Sequence, residues 1–217
     1  MTVNEIGFNP KWLKAAALIA ARRDIRYYLN GVLVEVFERE ARLVATDGHR
    51  MLILRKLCEG ATPARIIIPT EVIDHIKPSP KPAYSKVEAV LQYEPNSFKA
   101  TLQYFDIGIQ FKAIDGKFPD YTQTMNKAAK PSGETAHFNA AYLHDFKRAV
   151  TLAFGADRLY SPHIWQNGTE PAGVTYKGYD EFFGIVMPLR DDRYGGVPSW
   201  ALPLKVEQKQ PEEALAA

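Results

Sequence analysis

At 217 residues, 46% apolar and 24% charged, with a formal net charge of +2, the chain has the length and composition of a soluble globular protein of one large domain or two smaller ones. Its longest apolar run, residues 15–21, is far short of the roughly 20 residues a membrane span needs, and no charged-then-apolar leader opens it, so a cytoplasmic setting with no membrane is expected. The lone Cys58 excludes a disulfide framework or a paired-cysteine site, and so mild a charge does not by itself announce a nucleic-acid partner.

In chain order, the strand-like run Ile6-Gly7-Phe8 leads into Asn9 and Pro10, residues that cap or open a helix, and the apolar spacing predicts that helix over 10–23. Strands are expected at 27–37, 41–47 and 49–56, separated by reversals of which Asn30-Gly31 and Asp47-Gly48 are typical dipeptides. Residues 65–68 read as another strand, followed by a short helix at 70–76 that the prolines of 77–82 must end. Strands follow at 86–94, 98–105 and 105–114. The polar, Pro- and Gly-bearing stretch around 127–135 is the best linker candidate. Beyond it come a strand-like Ala136-His137-Phe138, a helix at 139–154 and strands near 163–167, 173–177 and 182–189. Residues 191–217 lose the pattern and read as an extended or disordered tail.

Three of these stretches repeat. From Phe8, Ile68 and Phe138, the offsets of four, five and eight residues give Trp12, Leu13 and Ala16, then Val72, Ile73 and Ile76, then Tyr142, Leu143 and Phe146. Those offsets mark one face of a helix, so each unit is a strand, a helix and further strands. The expected organisation is a full domain of two units at 1–126 (about 6–60 and 61–126), the linker 127–135, a half domain of one unit at 136–190, and the tail. Strand-rich units with one helix each argue an α+β fold with sheets on one side and helices on the other.

The polar sides of the helices carry Lys11, Lys14, Arg22 and Arg23, then Lys77 with Lys81 just beyond, then Lys147 and Arg148. Acidic residues fall mostly elsewhere, so a near-neutral chain would still present a basic helical surface, suited to phosphate contacts without base reading. Catalytic readings find less support. Asp47 and His49 sit in a turn where Asp-Gly has a conformational reason to exist, and no metalloprotease, nucleophile-elbow or phosphate-loop pattern is present. No metal or cofactor is expected.

Residues 24–35 (DIRYYLNGVLVE), 45–53 (ATDGHRMLI), 114–121 (IDGKFPDY) and 185–190 (IVMPLR) together resemble the bacterial sliding clamp family, the beta subunit of the replicative DNA polymerase, and occur in that family's order. Residues 6–126 look like its whole central domain and 136–190 like the second half of its last domain, so the chain reads as a shortened, divergent, phage- or plasmid-like member. The resemblance implies a clamp fold: a ring with sheets outside and helices lining a hole that holds double-stranded DNA. The resemblance also implies a processivity factor and not an enzyme. The basic helix residues would then face DNA, and Tyr27 and Tyr28 match a DNA-touching tyrosine pair.

The family's partners, the DNA polymerase and clamp loader among them, insert linear peptides into an apolar cleft. The matching positions are Leu29, Thr46, Gly48, His49, Arg50 and Met51 on one wall, with Val186, Met187, Pro188, Leu189 and Arg190 on the other. Thr122, Gln123 and Asn126 depart from the family's pattern at the rim. Rings of this family contain about twelve such units, so three units per chain imply a homotetramer rather than a trimer or dimer, in a closed cyclic or dihedral-like arrangement built by head-to-tail interfaces. The alternative is a clamp-like peptide-binding regulator that does not encircle DNA, with Trp200, Leu202 and Leu204 of the tail as a segment able to occupy a cleft.

Overall fold

The computed structural model describes residues 4–84, 86–94, 97–155, 161–190 and 201; the expected tail, with Trp200, Leu202 and Leu204, lies outside the described residues apart from Ala201. The chain opens with β1 (Asn4–Phe8) and α1 (Pro10–Ile19), then β2 (Gly31–Val36), β3 (Glu40–Thr46), β4 (Arg50–Leu57) and β5 (Ala64–Pro69). Next come α2 (Thr70–His75), β6 (Ala89–Tyr93), β7 (Lys99–Tyr104) and β8 (Ile107–Lys112). The described chain finishes with α3 (Thr122–Ala128), α4 (Ala140–Phe154), β9 (His163–Trp165), β10 (Ala172–Thr175) and β11 (Phe182–Val186).

The helix starts follow from local chemistry. Asn9 Oδ1 accepts from Lys11 N at 3.0 Å and Asn139 Oδ1 from Ala141 N at 2.9 Å, satisfying amides that the first helical turn leaves open. At the other end of α4, Gly155 adopts φ 70° and its amide returns to Thr151 O at 2.9 Å. The repeat pattern is spent on burial: Phe8, Leu13, Ala16, Ile68, Ile73, Ile76 and Phe146 are all buried. Each large one of these contributes about 1.5–3 kcal/mol by leaving water.

The strands form two antiparallel sheets, one of four in the order β1-β6-β7-β8 and one of seven in the order β5-β2-β3-β4-β11-β10-β9. The first strand of each of the first two units thus pairs inside the other unit's sheet: Phe8 faces Ala89, and Pro69 faces Gly31. The third unit joins the first through β4 and β11, with Leu54 opposite Phe182 and Arg50 opposite Val186. Beneath that junction α1 and α4 lie together, Trp12 and Phe154 with ring centroids 5.6 Å apart.

Alternation along the seven-stranded sheet divides its core. Val32, Val34, Leu43, Leu52 and Leu54 face the helices, whereas Leu33, Val44, Met51, Ile53 and Ile185 face the other way. That second face is covered by the chain between β8 and α3: Ile114, Phe118, Tyr121, Met125 and Ala128 pack on it. Sheets on the outside is therefore only part of the arrangement.

Several expected boundaries are corrected. Helix α1 stops at Ile19 and not at Arg23, because Ala21 N is taken by the carbonyls of Leu29 (3.1 Å) and Thr46 (3.3 Å). Residues 27–29 form a short 3-10 turn instead of the start of a strand, held where Asn30 Nδ2 donates to Asp24 O and Asp24 N to Asn30 Oδ1, both at 2.9 Å. Residues 136–138 form no strand, although Leu189 N donates to His137 O at 2.7 Å in a ladder-like bond. The linker begins inside α3, whose Ala128 is fully buried, and continues tied down, Ser132 N donating to Asn167 Oδ1 at 3.0 Å and Gly133 N to Gln166 O at 3.0 Å. Strand β11 ends at Val186, three residues before the expected Leu189.

Candidate functional site: a peptide-sized cleft and a basic helix face

The turn between β3 and β4 is built by Asp47. Its Oδ1 accepts from His49 N (2.9 Å) and Arg50 N (3.0 Å), while Oδ2 accepts from Arg50 Nε at 3.0 Å. Thr46 Oγ1 donates to Arg50 O at 2.6 Å and accepts from Gly48 N at 3.0 Å. Gly48 sits at φ 93°, a backbone conformation that favours glycine, and the Arg26 guanidinium packs close over it. Asp47 is thus occupied in shaping a turn.

Beside this turn a cavity of about 210 Å³ opens. Leu29, Met51, Ile185 and Met187 supply its apolar surface, with Thr46, Gly48, His49 and Arg50 along one side. Arg26, Tyr28, Pro119, Asp120, Tyr121 and Thr124 complete it. Arg26 is held there by Asp24, with Nε to Oδ1 at 3.0 Å and Nη2 to Oδ2 at 2.7 Å, and the guanidinium pulls the Asp24 carboxyl down to about 2. At the back of the cavity Tyr121 donates its hydroxyl hydrogen bond to the buried Glu35, which Arg65 also contacts. Burial, then the hydrogen bond to Glu35, push the Tyr121 phenol up to about 12.

The expected cleft residues separate in space. Leu29, Thr46, Gly48, His49, Arg50, Met51 and Met187 line the cavity together. Val186 does not: it is fully buried in the helix-side core, because neighbouring strand residues point to opposite faces. That same alternation in β11 was a signal for Ile185, which does line it. Pro188, Leu189 and Arg190 lie outside the cavity, with Leu189 42% exposed. Thr124 replaces the expected rim residues Thr122, Gln123 and Asn126, a consequence of α3 turning one face inward. Tyr121 and Asp120 precede that helix and follow Phe118, whose burial pins the whole segment.

On the helix side, Lys11, Lys14, Arg22, Lys147 and Arg148 line one groove with Pro78, Pro80, His144 and the half-exposed Leu152. The cations there are not equivalent. Arg22 grips Asp74 through both guanidinium nitrogens at 2.6 and 3.1 Å, which holds the Asp74 carboxyl below its ordinary range. Lys14 Nζ donates to the carbonyls of Ile73 and Asp74, both at 3.3 Å, at the end of α2. Arg148 reaches Asp145 at 3.0 Å. No ion pair among the described residues engages Lys11, Arg23, Lys77, Lys81 or Lys147.

Arg23 has φ 56° and is exposed just past α1, and Lys77 and Lys81 are exposed beyond α2. The two tyrosines part company. Tyr27 is 56% exposed, with its hydroxyl donating to Asp115 O at 3.0 Å, whereas Tyr28 is half-buried on the cavity wall. The basic groove is formed by α1, α4 and the end of α2, the helices packed on one side of the seven-stranded sheet, whereas the cavity takes Met51 and Ile185 from the sheet's other face. Among the described residues no helix is long and apolar enough to cross a membrane.

Residues 10–120 match the family model for the central domain of the DNA polymerase III beta subunit. The beta sliding clamp of Vibrio cholerae is 36% identical over 107 residues, 48% of this chain and 28% of that protein. That of Escherichia coli K12 is 30% identical over 155 residues, 68% of this chain and 40% of that protein, so the matched part is well under half of either relative. Among solved structures, the Pseudomonas aeruginosa DNA polymerase sliding clamp aligns at TM-score 0.63 and 18% identity, covering 86% of this chain and 66% of that one. The DNA polymerase III beta subunit of Thermotoga maritima aligns at 0.63 and 14%, covering 86% and 65%. A clamp fold with those motifs, matched by the family model over half its length, makes this chain a member of the DNA polymerase III beta subunit, or sliding clamp, family.

Proposed function

We propose that the chain is a DNA sliding clamp, a cytoplasmic, non-catalytic processivity factor. It encircles duplex DNA as an oligomeric ring and tethers a DNA polymerase, a clamp loader and other partners by linear peptides. The observation that carries this reading is that the basic groove lies on the helices covering one side of the seven-stranded sheet, while the apolar cavity takes its floor from the other side. A polyanion on one face and a peptide on the other then bind at once, without competing. A cavity of about 210 Å³ suits one or two apolar side chains of a peptide, since drug-sized sites start at roughly 300 Å³.

DNA would be held by Lys11, Lys14, Arg22, Arg23, Lys77, Lys81, Lys147 and Arg148, with Tyr27 available for stacking, and the peptide by the cavity lining. Phosphate contacts from flexible cations give affinity without sequence preference, which is what sliding requires. Four chains of three units each would make the ring.

The test is retention on DNA of different topology. Protein loaded on a circular plasmid stays bound through gel filtration and is released when a restriction enzyme linearises the plasmid. Release that is indifferent to linearisation would sink the encircling reading and favour the peptide-binding regulator. Light scattering gives the mass in parallel, four times the 24.4 kDa chain being expected.

A further inference from the structure

The seven-stranded sheet reads β2-β3-β4-β11-β10-β9 through its centre, so the last strands of two units meet antiparallel and the order mirrors about that pair. The second unit ends the same way, in β6-β7-β8, but among the described residues nothing pairs with the outer side of β8. An open edge of this kind is a template for another strand.

We propose that β8 pairs antiparallel with β8 of a second copy of this chain, about a two-fold axis that passes between the two Ile109 residues. The inference rests on the ring reading only in taking a second copy as the occupant; the pairing itself is argued from strand geometry. Ala113 N donates to Phe98 O at 2.6 Å, so groups at 107, 109 and 111 turn toward β7, and the backbone of Gly108, Gln110 and Lys112 faces the open edge. A two-fold at Ile109 sets Gly108 against Gln110, which are edge-facing positions on both strands, and brings Asp106, in the turn just before β8, opposite Lys112 at the strand's end. A two-fold between residues would oppose edge-facing groups to inward-facing ones and form no ladder.

This register also matches the side chains. Asp106 and Lys112 form two symmetric opposite-charge pairs, and Ile107 meets Phe111 on the face shared with Ile109. Ile109 and Phe111 already pack partly against the core, while Ile107 is 51% exposed beside Phe105 at 42%. The second strand would therefore continue an apolar face that now ends at the edge. Moving the axis to Gln110 opposes Lys112 to Gly108 and loses both charge pairs. The contact is isologous, so of the cyclic and dihedral-like arrangements expected for four chains it selects dihedral symmetry, with this interface two-fold and not head-to-tail.

The test combines mass with a crosslink. Lys112→Glu sets two pairs of carboxylates against each other and weakens chain association by about tenfold. The swap Asp106→Lys with Lys112→Glu restores it, and both variants keep the parent circular dichroism spectrum because the two residues are exposed. In a Cys58→Ser background, Ile109→Cys forms a disulfide-linked pair of chains on oxidation, since facing Cα atoms in a non-hydrogen-bonded pair lie about 4.5 Å apart. Lys117→Cys does not. A monomer by light scattering, or an oligomer indifferent to Lys112→Glu with no crosslink at 109, overturns the proposal. An Ile109-linked pair of chains that fails the plasmid test leaves the interface standing and removes the ring.

Discussion

Arg50 Nη1 donates to Asp145 Oδ2 at 2.5 Å, which ties β4 of the first unit to α4 of the third across the whole second unit. The same guanidinium lies 4.8 Å from the Tyr142 ring centroid and donates through Nε to Asp47, so it is shared between the cleft wall and the junction. With its side chain only 10% exposed, Arg50 is a fixed part of the wall and not a free anchor for ligand.

Asp145→Asn should therefore lower stability by about 1.5–3 kcal/mol in urea unfolding, the range for a hydrogen bond to a charged group. Burial opposes ionisation of Asp145, but the hydrogen bond and charge of Arg50, then those of Arg148, hold its carboxyl below the ordinary range. A depressed folded-state value contributes stability that is present above the unfolded value near pH 4 and lost as pH falls through the folded one. The gap between parent and variant should accordingly narrow below about pH 4. A constant gap down to acid denaturation would show that the pair contributes nothing electrostatic.

Charge reversals on the helix face should fall into two groups. Lys11→Glu and Lys147→Glu remove cations that form no ion pair among the described residues, so each should reduce the salt slope of duplex binding by about 1 and leave the melting temperature unchanged. Arg22→Glu also breaks the two-pronged contact with Asp74, so it should lower the melting temperature as well as the affinity. Fluorescence anisotropy across a salt series, with thermal melts alongside, separates them.

Cleft substitutions should part along exposure. Met187→Ala trims the cavity wall at a half-buried position and should weaken capture of a clamp-binding peptide with little change in stability. Met51→Ala removes a core side chain and should cost about 2–5 kcal/mol of stability as well. Leu189→Ala, outside the cavity and 42% exposed, should do neither. Calorimetric titration with a fluorescent or unlabelled linear peptide and matched urea curves give both readouts.

At Gly184 of β11, a Cβ would meet Phe146 Cε1 at 2.9 Å and Val174 Cβ at 3.1 Å. Phe146 is fully buried and cannot retreat, so Gly184→Ala should destabilise the third unit by about 1–3 kcal/mol through overpacking. Hydrogen exchange should show faster opening of β10 and β11 than of β6 and β7 if the effect stays local.

The sequence by itself determined the helix starts at Asn9 and Asn139, the turn at Asp47-Gly48 and the repeat that buries Phe8, Ile68 and Phe146, because each depends on neighbours within a few residues. The same local patterns carried the family resemblance. Tertiary structure alone decided that β1 and β5 exchange sheets, that β4 meets β11, and that the segment before α3 covers a sheet face and lends the cavity Pro119, Tyr121 and Thr124. It also ended α1 four residues early, by offering Ala21 N the carbonyls of Leu29 and Thr46, and it bound Arg22 to Asp74. Those outcomes rest on hydrogen bonds and burial between residues distant in sequence, and no local spacing encodes which distant partner a strand edge or a charged side chain will find.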